Sequence, residues 1–179
     1  DSPYSDFTME AVTAPTVALS GTGVEIAWRV RNVGDTVASG SWRDRVVLSQ
    51  DGVFDNADTV LGTVNHSGPL AVGDAYTVRQ SFNLPFELTG TWYVLVKSDL
   101  DGSVFEGTRL GNNVGTPGTS LVINPAPSAD LVASSVVALS PALAGSAVSI
   151  SWNVSNAGEA DATGPWTDYV YLSRDGQLA

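Results

Sequence analysis

Hydrophobic and polar residues alternate with a period of two along most of this chain. The alternation is clearest at residues 24–30, 46–48 and 76–84. Alternation of this kind predicts β-strands that bury one side and expose the other. Segments rich in β-branched and aromatic residues add shorter strands at 7–12, 59–64, 91–97 and 120–123. About seven short strands separated by turn residues predict an all-β fold, an Ig-like antiparallel β-sandwich.

The pattern of residues 3–52 returns at residues 127–176. The two segments share 22 of 50 residues without a gap, so that Trp42 corresponds to Trp166, 124 positions later. The shared residues lie on the inward alternation and at turns, while the outward positions differ. This distribution is expected from common packing, and a common ligand would not require it. We therefore predict a complete sandwich at residues 1–126, a proline-containing linker around 124–127, and a second copy at 127–179.

The second copy has counterparts of the first three strands only. Half a sandwich leaves its apolar face without an opposing sheet. The fold then loses the stabilisation that burying this face would give, about 25 cal/mol per Å² of apolar surface. We expect either that these residues are a piece of a longer array of modules or that strands from another chain complete the copy. Neighbouring modules of the same chain are the first expected partners.

The charge balance narrows the possible partners. The chain has 19 acidic and 8 basic residues, a net charge of −11. Nucleic-acid binding depends on basic residues that neutralise phosphates, so nucleic acid is not an expected partner. No apolar run approaches the roughly 18 residues of a membrane helix, so membrane insertion is not expected. Cysteine is absent, so neither disulfides nor thiol chemistry is available.

The densest run of candidate ligands follows the repeated strand at 42–48. Asp51, Asp55 and Asp58 supply three carboxylates within eight residues, and calcium takes oxygen ligands from such loops. Asp99, Asp101 and Glu106 form a second acidic loop that could lie nearby. Alternatively, Asp51 and Gly52 form a turn, and Asp55 and Asp58 accept hydrogen bonds from nearby backbone N–H groups. Calcium at Asp51, Asp55 and Asp58 is the only cofactor predicted.

Other polar and aromatic residues have simpler explanations. Asp44 and its counterpart Asp168 lie inside a strand, where a partner such as Arg29, Arg31 or Arg45 or an inter-strand hydrogen bond is expected. Trp42 stands at a strand entrance, where an exposed ring could stack on a sugar, although packing at the strand edge also explains it.

A catalytic site has little support in the sequence. His66 is the only histidine, and beside a turn it is expected to be solvated. There is no Gly-x-Ser-x-Gly motif and no phosphate-binding glycine loop. We therefore predict that the protein is not an enzyme.

Several segments together resemble the CARDB module, a cell-adhesion-related domain of bacterial proteins. The resemblance rests on Val24–Gly34, Trp42–Gly52 and Leu61–Gly62, and then on Thr91–Val96, Val104–Glu106 and Gly111–Asn113. It implies a β-sandwich repeated within large secreted or surface proteins, without catalytic residues. The expected function is a non-catalytic stalk or adhesion module. The alternative is an accessory module of a secreted hydrolase that binds polysaccharide, for which Trp42, Trp92 and Tyr93 are the candidate aromatic residues.

Overall fold

The computed structural model describes residues 3–177, and all seven predicted strands are present. They are β1 (Phe7–Thr13), β3 (Gly23–Asn32), β4 (Ser41–Ser49), β5 (Thr59–Ser67), β6 (Ala75–Asn83), β7 (Gly90–Lys97) and β9 (Leu121–Asn124). Two short strands were not predicted, β2 (Val17–Leu19) and β8 (Val114–Gly115), and a 3-10 turn spans Leu110–Asn112. The predicted all-β, Ig-like sandwich is therefore confirmed.

Two sheets form the first unit. One is antiparallel and has the order β1–β3–β6. The other has the order β2–β9–β7–β4–β5, with β8 added against β7. The chain changes sheet between β1 and β2, and β2 then pairs in parallel with β9.

Side chains of both sheets form one buried hydrophobic cluster. Ile26, Trp28 and Val30 of β3 contribute from one sheet, and Leu48 of β4 and Val94 of β7 contribute from the other. The inward alternation of the sequence therefore predicted the core, because successive side chains of a strand point to opposite faces.

A close backbone approach fixes the turn after β3. A Cβ atom at Gly34 would lie 2.6 Å from the backbone nitrogen of Asp6 and would also overlap the carbonyl oxygen of Tyr4. The counterpart Gly158 is crowded in the same way, at 2.5 Å from the nitrogen of Asp130. Glycine recurs at this position because no larger residue fits.

The chain divides into two compact units, residues 1–126 and 127–179. Within the described part of the second unit, β10 (Leu131–Ala138) and β11 (Ile150–Asn156) form an antiparallel pair. The third strand predicted at 166–172 is not formed. In the first unit the equivalent strand β4 is hydrogen-bonded to β5 and β7 on its two sides, and the second copy has no sequence counterpart of either.

None of the helical residues in the described range 3–177 forms a segment long and apolar enough to cross a membrane.

Candidate functional site

Asp44 is a fully buried carboxylate at the inner face of β4. Its Oδ2 accepts a hydrogen bond from Trp28 Nε1 at 2.7 Å, and the Tyr76 hydroxyl donates to the same carboxylate at 2.9 Å. Tyr76 in turn accepts a hydrogen bond from Trp42 Nε1 at 3.2 Å. Burial first, and the Asp44 charge second, raise the pKa of Tyr76, so its hydroxyl stays protonated and acts as a donor.

Of the two explanations expected for Asp44, the inter-strand hydrogen bond is confirmed, and the arginine partner is wrong. Arg29 and Arg31 lie on the other side of β3 and pair with Glu10. Arg45 is the next residue along β4, and neighbouring residues of a strand point to opposite faces. The indole and hydroxyl donors of the core hold Asp44 instead.

His66 is also placed differently from the expected solvated loop residue. It lies in β5, only 14% of its side chain is exposed, and its ring packs on Trp42 and Tyr76 at centroid distances of 5.8 and 4.4 Å. His66 Nε2 is 3.0 Å from Asp44 Oδ2, but the angle does not meet hydrogen-bond geometry. His66 of β5 therefore packs against the group formed by Asp44, Trp42 and Tyr76.

The predicted calcium loop follows β4 and is held by its own carboxylates. Asp51 Oδ1 accepts hydrogen bonds from Ser49 Oγ and from the Val53 N–H, both at 2.9 Å, and these bonds hold the pKa of Asp51 below its usual range, the Val53 bond most strongly. Asp55 Oδ1 accepts from the Ala57 N–H at 2.7 Å, and Asp58 Oδ2 accepts from the Asp55 N–H at 2.9 Å. All three carboxylates therefore stabilise turns, as the structural alternative expected.

The same three carboxylates also border one cavity. Asp51, Asp55 and Asp58 line a space of about 340 Å³ together with Trp92. Within residues 3–177, however, no group of three or more potential metal-ligating side chains lies close enough to hold an ion as arranged. The loop brings the predicted ligands to one cavity without gathering them into one coordination shell.

The second acidic loop is committed to internal contacts. Asp99 is buried and accepts hydrogen bonds from the N–H groups of Ser103 and Val104, both at 2.9 Å. Asp101 forms a two-point ion pair with Arg43, with both distances 2.7 Å. The Arg43 guanidinium holds the pKa of Asp101 below its usual range.

Glu106 differs from the other acids because burial raises its pKa. Its Oε2 accepts from the Phe7 N–H at 2.8 Å, and its Oε1 accepts from Asn113 Nδ2 at 2.9 Å. The side chain therefore ties the loop before β8 to the start of β1, which gives it a structural role.

The three candidate sugar-binding aromatics do not form an exposed platform. Trp42 is 3% exposed, and Trp92 is 8% exposed. Tyr93 is 40% exposed, on the opposite side of β7 from Trp92. Of the two explanations for Trp42, packing is confirmed, because its ring lies against Phe7 with centroids 5.0 Å apart. The exposed ring that could stack on a sugar is wrong.

The second copy repeats the internal hydrogen bonds of the first. Trp152 Nε1 donates to Asp168 Oδ2 at 3.0 Å, as Trp28 does to Asp44. Asn156 Oδ1 accepts from the N–H groups of Asp130 and Gly158, as Asn32 Oδ1 does from those of Asp6 and Gly34. The residues that recur are those that hold the module together.

The sequence did not predict that two basic residues would lie side by side on the outer face of the second sheet. Arg45 of β4 and Lys97 of β7 are direct cross-strand neighbours. The signal that would have found them is the pairing of these two strands, which a sequence pattern alone does not provide.

Comparison with solved structures identifies the architecture. A crystal structure of the CARDB domain of the PF1109 protein from Pyrococcus furiosus, in complex with di-metal ions, is similar with a TM-score of 0.51 and 17% identity, covering 68% of this chain and 90% of that one. The solution NMR structure of the same domain gives a TM-score of 0.50 and 20% identity, covering 68% of this chain and 97% of that one. This chain has a CARDB-like fold. At these identities the likeness concerns the fold alone.

More distant similarity extends to a β-glucosidase from Listeria innocua, with a TM-score of 0.45, 13% identity and coverage of 67% of this chain but 16% of the enzyme. A likeness this partial carries no information on function. No protein-family model and no curated protein matches the chain.

Proposed function

We propose that this chain is a non-catalytic β-sandwich repeat of a large secreted or surface bacterial protein, where it serves as a stalk or cell-adhesion module. The CARDB-like fold supports an adhesion-related β domain. The recurrence of packing and turn residues in the two copies supports a repeated structural unit. The observation that carries the proposal is the parallel pairing of β2, the second strand, with β9, the last strand of the first unit.

β2 and β9 run parallel, with Val17 opposite Val122 and Leu19 opposite Asn124. Hydrogen bonds lengthen this pair at both ends, from the Val122 N–H to Thr16 O and from the Ser20 N–H to Asn124 O, both at 2.8 Å. In a parallel pair, a force entering before β2 and leaving after β9 pulls the strands past each other along their length. The bonds then bear the load together, which suits a module under tension.

Single-molecule force measurements test this proposal. The chain has no cysteine, so handles can be attached at chosen positions. Thr16→Cys with Pro125→Cys loads β2 against β9 in shear, whereas Ser41→Cys with Ser67→Cys pulls on two direct partners and unzips β4 from β5. We expect the first pair to unfold the unit at the higher force. An equal or lower force through Thr16 and Pro125 would contradict a tension-bearing role.

Calcium binding to the loop after β4 is part of the proposal. Asp51, Asp55 and Asp58 border one cavity, and carboxylate oxygens are the ligands that calcium prefers. The CARDB domain of PF1109 was solved in complex with di-metal ions. One oxygen of each carboxylate already accepts an internal hydrogen bond, so calcium would use the remaining oxygens and draw Asp55 and Asp58 closer together.

The alternative proposal, an accessory polysaccharide-binding module of a secreted hydrolase, has less support. Sugar binders of this kind present coplanar exposed rings, and two of the three candidate aromatics are buried. It would regain support if a neutral polysaccharide shifted the NMR signals around Tyr93.

A further inference from the structure

Two cations stand side by side on the outer face of the six-stranded sheet. Arg45 and Lys97 are direct partners in the antiparallel pairing of β4 and β7, on the face opposite the hydrophobic core. Like charges directly opposite each other in a sheet are destabilising unless an anion lies between them. The arrangement therefore calls for a negative partner.

Neither cation has an acidic partner among residues 3–177. Five other arginines each form an ion pair there: Arg29, Arg31, Arg43, Arg79 and Arg109. The Arg45 Nε is buried and has no hydrogen-bond partner, and a buried donor without an acceptor is costly. The nearby carboxylate of Asp101 is already held at two points by Arg43.

A cavity of about 430 Å³ opens above the two cations. Its lining is mixed: the apolar side chains of Val47, Val60 and Phe54 lie beside charged and polar ones. The Lys97 Nζ lies 5.6 Å from the centre of the Phe54 ring. That cation–π contact holds the ammonium group at the wall of the cavity. Asp55 and Asp58 also line the cavity. Among the described residues, neither carboxylate forms an ion pair with Arg45 or Lys97.

We propose that this cavity binds a single carboxylate group, held between Arg45 and Lys97, with the carbon body of the ligand against Phe54, Val47 and Val60. The guanidinium supplies a planar pair of donors that matches a carboxylate, and the ammonium adds a second charge. Asp55 and Asp58 at the same cavity offset part of its positive charge, which weakens the binding of any anion. A carboxylate carries a carbon body that can lie against Phe54, Val47 and Val60, and inorganic phosphate has none, so the site favours a carboxylate over phosphate. Acidic side chains and uronate sugars share the required chemistry.

Titrations of the whole chain with small probes test this site. Acetate supplies the carboxylate alone, glucuronate adds a sugar ring, glucose lacks the charge, and inorganic phosphate supplies a dianion; ionic strength is kept constant with chloride. The readouts are the thermal midpoint and the NMR signal of the Arg45 Nε–H. Arg45→Gln and Lys97→Gln each remove one cation, and Arg79→Gln is the matched control, because Arg79 is an exposed arginine on the other sheet, paired with Glu25.

We expect acetate and glucuronate each to bind the Arg79→Gln variant with the same affinity as the native chain. Binding should fall at least tenfold in Arg45→Gln and in Lys97→Gln, and the Asp58→Asn variant should bind acetate more tightly because it loses negative charge. Equal binding by the native chain and the Arg45→Gln variant would overturn the site. Phosphate binding tighter than acetate, or glucose binding as tight as glucuronate, would overturn the assignment to a carboxylate.

Discussion

Substitution of Asp44 should strongly destabilise the first unit. Its buried carboxylate accepts hydrogen bonds from Trp28 Nε1 and from the Tyr76 hydroxyl. In Asp44→Asn the amide oxygen can take the place of Oδ2 and accept from both donors, but it carries no negative charge, and the NH2 group takes the place of Oδ1, which is 3.0 Å from the Tyr76 hydroxyl. The substitution is nearly isosteric, so it changes hydrogen bonding with little change in packing.

The structure sets the size of the effect. A hydrogen bond to a charged group contributes about 1.5–3 kcal/mol, and one between neutral groups contributes about 0.5–1.5 kcal/mol. Each of the two bonds therefore loses about 1–1.5 kcal/mol, so we expect Asp44→Asn to lower the free energy of unfolding by about 2–3 kcal/mol. That is a large share of the roughly 5–15 kcal/mol that stabilises a typical domain.

Urea unfolding followed by circular dichroism measures the change. Asp74→Asn is the control, because Asp74 is an exposed acid in the turn before β6. A double-mutant cycle with Trp28→Phe isolates the pair, and we expect a coupling energy of about 1–3 kcal/mol. If Asp44→Asn costs no more than Asp74→Asn, or if the two changes in the cycle simply add, the central role of this carboxylate is refuted.

Three further predictions concern the turn after β3, the buried acid and the calcium loop. Gly34→Ala should destabilise by about 1–3 kcal/mol in urea, because its Cβ would overlap Tyr4 and Asp6, while Gly111→Ala, with open space around it, should change little. Glu106→Gln should make the urea midpoint depend less on pH above 4.5, because burial raises the pKa of Glu106 in the folded state. The stabilisation from this carboxyl is present at pH below its unfolded-state pKa and is lost as the pH rises through its folded-state pKa. Calcium at about 100 times its dissociation constant should add roughly 2.7 kcal/mol to the native chain and much less to Asp58→Asn; an unchanged melting temperature would remove calcium from the proposal.

The fold was predictable because it depends on local alternation. The spacing of Ile26, Trp28 and Val30 at every second position predicts that they are buried. The turn at Gly34 is indicated by the glycine that recurs at the same position of the second copy. The short strands β2 and β8 were not predictable, since with three and two residues they are too short to show a period. Their existence depends on partners that are distant in the sequence, β9 and β7.

The polar contacts were much less predictable, because they join residues from different strands. Nothing in the segment around His66 indicates that Trp42 and Tyr76 enclose its ring. Asp44 was recognised as a strand residue that needs a partner, but the choice between an arginine on an adjacent strand and an indole across the core is made by side-chain direction. Only the pairing of strands in space decides it.

Recurrence between the two copies separates structural residues from candidate ligand-binding residues. Asp51 has a counterpart in Asp175, whose Oδ1 likewise accepts from a serine hydroxyl, that of Ser173, at 2.6 Å. The recurrence of Asp51 is therefore explained by its turn hydrogen bonds. Asp55 and Asp58 are then the residues whose presence would be explained by calcium binding.

Arg45 shows the opposite behaviour, because the aligned residue of the second copy is Tyr169. A tyrosine cannot supply the charge that holds a carboxylate against a neighbouring strand, so the second copy lacks the arginine on which the proposed pocket depends. The carboxylate titration should therefore reach saturation at one ligand per chain. Two equal sites per chain would mean that the ligand recognises the shared framework of the modules and not the pair formed by Arg45 and Lys97.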